Sequence, residues 1–255
     1  MKKLVIYTCV TGAYDAVPQP GAVDSRCDYV CFVPSGDVRP EVGEAWQVRE
    51  FDCPPLSAVL RSRYPKLHPA DLLQDYECSL WMDANVSIAD AAFYDLVFSL
   101  VESGSVWSGI VHPERDCAYD EALACLRGGK SSLRPMLRAV NFLRRRGLPR
   151  HAGLWVNNVI LRRHAEPSVV QADRLWWDLL VSVAPRDQIL LPLCLRDAGL
   201  VPAPLFGRDF SARNTPLLSY LYHDRPEDQS FMKKKIRGLR RFLSVRILSA
   251  RLRKL

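Results

Sequence analysis

The chain has 255 residues, 48% of them hydrophobic and 25% charged. That is enough for one globular domain with a real core, and no apolar run reaches the roughly 18–20 residues that cross a bilayer. The net charge of +7 is local. Met232 to Leu255 holds ten Lys or Arg and no acid, and the rest carries 25 basic against 28 acidic residues, which argues against a nucleic-acid-binding body.

In chain order, Lys3 to Val10 is rich in β-formers and ends at Thr11-Gly12. It reads as a buried first strand. A signal peptide is disfavoured, because the apolar stretch is short and no small-residue cleavage site follows it. The chain is therefore expected in the cytoplasm. Asp28 to Val33 is a second strand, closed by Pro34-Ser35-Gly36, and Trp46 to Phe51 alternates as a third. Leu56 to Tyr64 has helical spacing, with Pro65 expected to interrupt it. Tyr76 to Met82 is a fourth strand, ending at Asp83.

Helices follow over Ala91–Glu102, Tyr119–Arg127, Leu133–Arg146 and Gln171–Val183, with strands at Val106–Val111 and Val156–Leu161. Strands alternating with helices predict a layered α/β sheet. The composition breaks near Asp228, so residues 1–228 are read as the domain and 229–255 as a basic tail. The eight cysteines form no CxxC pair. They read as reduced, small buried hydrophobes.

The sharpest chemical signal is Ser79-Leu80-Trp81-Met82-Asp83-Ala84-Asn85-Val86. An apolar strand delivers a carboxylate at its C-terminal end, where open α/β sheets bind ligands. Asp83 with Asn85 suits Mg²⁺ or Mn²⁺, although Asp and Asn are also ordinary turn formers. Thr11, Tyr14 and Asp15 follow the first strand and offer contacts to a base and ribose, or simply a strand-to-turn exit. Arg63 and Lys66 are candidates for phosphate, with a solvated helix face as the alternative.

His112, at a strand end, is a candidate for phosphate or sugar, or a satisfied structural histidine. Asn157 and Asn158 put amides inside an apolar strand, where sugar hydroxyls or a core network would satisfy them. Asp187, with Gln188 beside it, stands before an apolar segment as a helix N-cap, a base or an orienting acid. His223 lies late in the chain as a further metal or phosphate ligand.

Taken together, several segments resemble a bacterial and plant family of glycosyltransferases formerly labelled a domain of unknown function. They are Tyr7 to Asp15, Tyr29-Val30-Cys31-Phe32, Arg63-Tyr64-Pro65-Lys66, His68-Pro69, Ser79 to Asn85, His112 to Ala122, Val159 to His164 and Arg186-Asp187-Gln188. The resemblance spans roughly residues 4–200. It implies a GT-A-like nucleotide-diphospho-sugar transferase fold, with a mixed central sheet flanked by helices. It also implies sugar transfer, with Asp83–Asn85 in the place of the GT-A metal motif. Asn85 is a neutral ligand where many GT-A enzymes have a second carboxylate.

The site expected from both readings puts the nucleotide over Thr11–Asp15 and the phosphates at Arg63 and Lys66. A divalent ion would lie at Asp83, Asn85 and His223. Asn157, Asn158, Asp187 and Gln188 would line the sugar and acceptor pocket. The donor expected first is a UDP-sugar, and the acceptor a glycan or lipid-linked glycan of the cell envelope. The tail alternates bases with Leu239, Phe242, Leu243, Ile247 and Leu248. It reads as a basic amphipathic helix on the anionic inner face of a membrane, or as a helix packed on the body. A metal-dependent hydrolase using Asp83 and His112, and a non-catalytic glycan-binding protein, are the rival readings.

Overall fold

A computed structural model of the chain describes residues 4–12, 16–221 and 231–253, the last without the side chains of 231–237. The strands are β1 (Leu4–Cys9), β2 (Cys27–Pro34), β3 (Trp46–Phe51), β4 (Ser79–Met82), β5 (Val86–Ile88), β6 (Trp107–Val111), β7 (Trp155–Arg162), β8 (Ala203–Pro204) and β9 (Leu218–Tyr220). The helices are α1 (Ala58–Leu67), α2 (Pro69–Leu72), α3 (Ala92–Glu102), α4 (Ala118–Arg127), α5 (Leu133–Arg145), α6 (Pro167–Ser182), α7 (Asp187–Asp197) and α8 (Phe231–Leu252).

Seven strands form one mixed sheet in the order β3-β2-β1-β4-β7-β6-β8, and β5 pairs with β9 apart from it. The β1–β2, β2–β3 and β1–β4 pairs are parallel. β7 runs antiparallel to both β4 and β6. The expected mixed sheet flanked by helices is present.

Every residue of β1 is buried, because helices cover one face of the sheet and α3 with the small sheet covers the other. Val5, Tyr7 and Cys9 point into the cluster built with α4, α5, α6 and α7. Leu4 and Ile6 point into the cluster that holds Phe93 and Val97 of α3. All eight cysteines are free thiols, and seven are buried.

Two local expectations are corrected. α1 does not stop at Pro65 but runs on to Leu67. Pro65 removes one N–H hydrogen bond from the helix, and the burial of Pro65, Lys66 and Leu67 against the body offsets that loss. Asp187 is the first residue inside α7 rather than its cap, which is Arg186.

Candidate functional site

β1 and β4 are parallel neighbours, yet the chain runs from β1 outward through β2 and β3 before returning to β4. The order of strands reverses between them, and in open α/β sheets a crevice opens beyond the carboxyl ends at such a point. A cleft of about 620 Å³ lies there. Thr11 enters it from the exit of β1, and Asp83 and Asn85 from the exit of β4. Arg63 and Lys66 enter from α1, and Asp187 from the start of α7.

Lys66 is the hub. Its side chain is only 4% exposed, and its Nζ lies 3.2 Å from Asp187 Oδ2 and 3.6 Å from Asp83 Oδ1. Trp81 and Trp176 present their rings to the ammonium at 5.4 and 5.9 Å. The Lys66 carbonyl accepts from Arg162 Nη2 at 2.7 Å. Arg162 is fully buried on β7. It donates twice to Asp173 of α6, both at 2.8 Å, and once to the Tyr7 hydroxyl at 2.5 Å. One guanidinium fork thus joins β1, β7, α6 and the end of α1 beneath the cleft. Burial drives the Tyr7 hydroxyl up to about 12, so it stays a neutral phenol.

Asp187 is fixed from several sides. Its backbone carbonyl accepts from Trp176 Nε1 at 3.0 Å, and its Oδ1 accepts from the Gln188 N–H at 3.1 Å. Arg63 Nε lies 3.8 Å from Oδ2. Burial raises its carboxyl, but Lys66, Arg63 and Arg186 outweigh that and hold it well below the usual carboxylate range. It is an ionised acceptor and a weak base. Asp83 is more open, 42% exposed. Its Oδ1 accepts from Trp81 Nε1 at 2.8 Å, and its N–H donates to the Asn158 carbonyl at 2.8 Å.

At the exit of β1, Gly12 takes φ 66, a left-handed turn that favours glycine. Its N–H donates to Asp37 Oδ2 at 3.1 Å, and Arg61 Nη1 binds the other Asp37 oxygen at 2.8 Å. Tyr14, Asp15 and His223 lie outside the described residues.

Four of the other expected residues, His112, Asn157, Asn158 and Gln188, do not line the cleft. His112 is 7% exposed. Its Nδ1 accepts from the N–H groups of Glu114 and Arg115, both at 3.1 Å. Burial and then the Arg115 guanidinium push it below the usual imidazole value. Arg115 Nε also donates to the buried Glu121 at 2.7 Å. Asn157, with its amide oriented by its neighbours, donates to the Trp155 carbonyl at 3.3 Å and accepts from the Gln188 N–H at 3.1 Å. It therefore clamps β7 to the start of α7. Gln188 sits at that junction. Asn158 Oδ1 is buried without a hydrogen-bond partner among the described residues.

The sequence reading did not single out Trp81, Trp176 or Arg162. An arginine closing an otherwise apolar strand was the available signal for Arg162, because a buried guanidinium needs partners.

The residues present fit a hard divalent ion. Asp83 and Asn85 both line the cleft and carry oxygen donors of the kind Mg²⁺ and Mn²⁺ take. Asn85 Nδ2 faces the Leu221 carbonyl at 3.4 Å, which leaves its oxygen as the free end. One or two protein oxygens are enough where water and substrate phosphates complete the shell.

No family model matches the chain, and no curated protein matches it. Among solved structures it is similar to the WbbM bifunctional glycosyltransferase in its apo form, over 75% of this chain and 37% of that one, at 12% identity and a TM-score of 0.39. It is also similar to apo mouse xyloside xylosyltransferase 1, over 79% and 84%, at 9% identity and a TM-score of 0.37. A third is the glycosyltransferase GlyE of Streptococcus pneumoniae TIGR4, over 97% and 63%, at 8% identity and a TM-score of 0.39. The chain thus spans little more than a third of WbbM and under two thirds of GlyE.

Proposed function

We propose that the chain is a glycosyltransferase that moves a sugar from a nucleotide-diphospho-sugar, a UDP-sugar first, to a glycan or lipid-linked acceptor. The family resemblance belongs to the same reading. The observation that carries it is the meeting of Arg63, Lys66, Asp83 and Asp187 in one cleft at the switch point of the sheet. Cations suit a diphosphate, and carboxylates suit sugar hydroxyls.

In this reading the diphosphate takes over the hydrogen bond that Lys66 now gives to Asp187 and the ion-pair contact of Arg63. Both cations stabilise the charge that grows on the departing diphosphate. A divalent ion held by Asp83 and Asn85 would supply further Lewis-acid neutralisation there. Asp187, ionised and released from Lys66, orients a hydroxyl and stabilises positive charge on the sugar ring. Its depressed acidity makes it a better electrostatic partner than a base. Asn157 and Gln188 hold it in place.

The test is transfer or donor hydrolysis with a panel of nucleotide sugars, for the wild type and for Asp83→Ala and Asp187→Ala. Each substitution should lower turnover by about a hundredfold or more, the scale of losing one electrostatic stabiliser. Full activity in both would remove the site. The rival non-catalytic glycan-binding reading predicts instead that no nucleoside diphosphate raises the melting temperature.

The place of action in this reading is the anionic inner face of a membrane. Among the described residues no helix is long and apolar enough to cross one. Leu239, Phe242, Leu243 and Ile247 of α8 are each at least half exposed, beside Arg240, Arg241 and Arg246. An apolar stripe flanked by arginines suits an interfacial helix.

A further inference from the structure

Between α8 and the turn from α4 to α5 runs a groove of about 600 Å³, separate from the cleft. Arg240, Arg241, Leu243 and Ile247 of α8 form one wall, and Leu126 and Arg134 of the body form the other. Among the described residues no acidic side chain lines it. None of its three arginines makes an ion pair among the described residues. Gly129 lies at its floor with φ 66, and a Cβ there would fall 2.9 Å from Arg241 Cζ. The missing side chain is what lets this guanidinium lie down into the groove. Leu243 and Ile247, 50% and 51% exposed, continue the apolar stripe along the rim.

Guanidinium groups without an ion pair among the described residues, set beside apolar surface, suit an anionic group joined to a hydrocarbon. Guanidinium forks suit phosphate oxygens, and the leucine and isoleucine suit the chain that follows. We propose that this groove binds the phosphate of an anionic phospholipid, giving the membrane contact a defined headgroup site at the junction of α8 with α5. The inference rests on the membrane reading above and is independent of the sugar-transfer reading.

Arg134 discriminates. It belongs to the body, so simple adsorption through the helix stripe gives it no special part. The full chain would be sedimented with vesicles of phosphatidylcholine alone and with a share of phosphatidylglycerol. Arg134→Gln should weaken partitioning onto the anionic vesicles about fivefold, on the scale of one surface arginine, and Arg240→Gln with Arg241→Gln should do so by more. Arg145→Gln, an exposed body arginine at the far end of α5 and outside the groove, should change it by less than about twofold, because it lies away from both the groove and the helix stripe. All these side chains are exposed, so the variants fold.

Equal losses from Arg134→Gln and Arg145→Gln, or no loss from Arg134→Gln, would overturn the groove and leave the membrane reading standing. Failure of the wild type to bind anionic vesicles would remove both. Monomeric dihexanoyl phosphatidylglycerol should raise the melting temperature of the wild type and not of Arg134→Gln. The same rise with inorganic phosphate alone would make the ligand a free anion and overturn the lipid assignment.

Discussion

The Lys66 ammonium donates to the Asp187 carboxylate across 3.2 Å, joining residues 121 positions apart. α1 and α7 meet at the cleft through this contact, and each partner is held by other groups behind it. Asp187→Asn would leave the 4% exposed Lys66 without its nearest counter-charge. Breaking one half of a buried pair costs about 3 kcal/mol. Lys66→Met should cost a similar amount, and the double variant clearly less than the sum, because the two act as one unit. Urea denaturation of the four proteins measures the coupling, and strict additivity would show that the pair is idle.

The same contact fixes a pH expectation. The folded Asp187 carboxyl is held below its unfolded value, so its contribution is present above the unfolded value of about 3.9 and is lost only as pH falls toward the folded one. Between about pH 5 and 8 the stability curves of wild type and Asp187→Asn should run parallel. Divergence in that window would mean that the carboxyl titrates there.

Arg162 is the positioning residue behind Lys66. It bonds to Asp173, to Tyr7 and to the Lys66 carbonyl. Arg162→Met would strand a buried carboxylate and cost about 3–5 kcal/mol. Arg162→Lys keeps the charge but not the fork that reaches three partners. It should fold with about 2 kcal/mol lost and with kcat reduced more than KM raised, as Lys66 loosens. Normal kinetics in Arg162→Lys would separate the buried cluster from the cleft.

The strands were legible because burial on both faces writes long apolar runs. β3 lies at the sheet edge with only Phe51 buried, and was legible instead from its alternation, matching Trp46 to Phe51 residue for residue. β5 and β9, three residues each, are too short to leave a periodic trace. α7 was read only as an apolar segment. Ile189 to Leu195 is buried on every side and contains Pro192, so it shows neither an amphipathic period nor a clean helix interior. Asp83 was legible because a carboxylate ending an apolar strand is a local pattern. The pairing of Asp187 with Lys66 was not, since nothing local links positions 121 apart. His112 was read with both a functional and a structural alternative, and its bonds within Glu114, Arg115 and Glu121 depend on a fold of that loop which composition does not reveal.

His164 sets an acid limit on stability. It is 1% exposed, and its Nε2 donates to the Leu73 carbonyl at 3.0 Å. Among the described residues its Nδ1 has no hydrogen-bond partner, and a second proton there would be buried, with only the Tyr76 backbone nearby to favour it. Burial lowers it to about 4, against a carbonyl contact that pulls the other way. The unfolded chain binds this proton near pH 6.5 and the folded chain does not. Stability is therefore complete above about pH 6.5 and falls as pH drops toward 4, by about 3 kcal/mol from this residue. His68 and His112 are lowered in the same sense and add to the fall. His164→Gln should be less stable at pH 8 but show a shallower decline, read from melting temperatures across the window. An unchanged slope would assign the decline to the other histidines.

α8 has two apolar faces, one packed on the body and one exposed, and substitutions separate them. Val245, Leu248 and Leu252 stand three and four residues apart and pack on the body, with Leu248 fully buried. Leu239, Phe242, Leu243 and Ile247 form the opposite, exposed face. This divides the face expected from the sequence, since Leu248 faces the body and not solvent. Leu248→Ala removes buried side-chain volume and should cost about 2–4 kcal/mol. Phe242→Ser and Leu243→Ser, at exposed positions, should stay within about 0.5 kcal/mol of wild type. Vesicle binding should follow the reverse order, lost in the serine variants and kept in Leu248→Ala at temperatures where it stays folded. Raising salt should weaken binding of the wild type, because the arginines act through a screened surface potential. Salt-independent binding, or equal binding by the serine variants, would mean that the exposed stripe does not meet the bilayer.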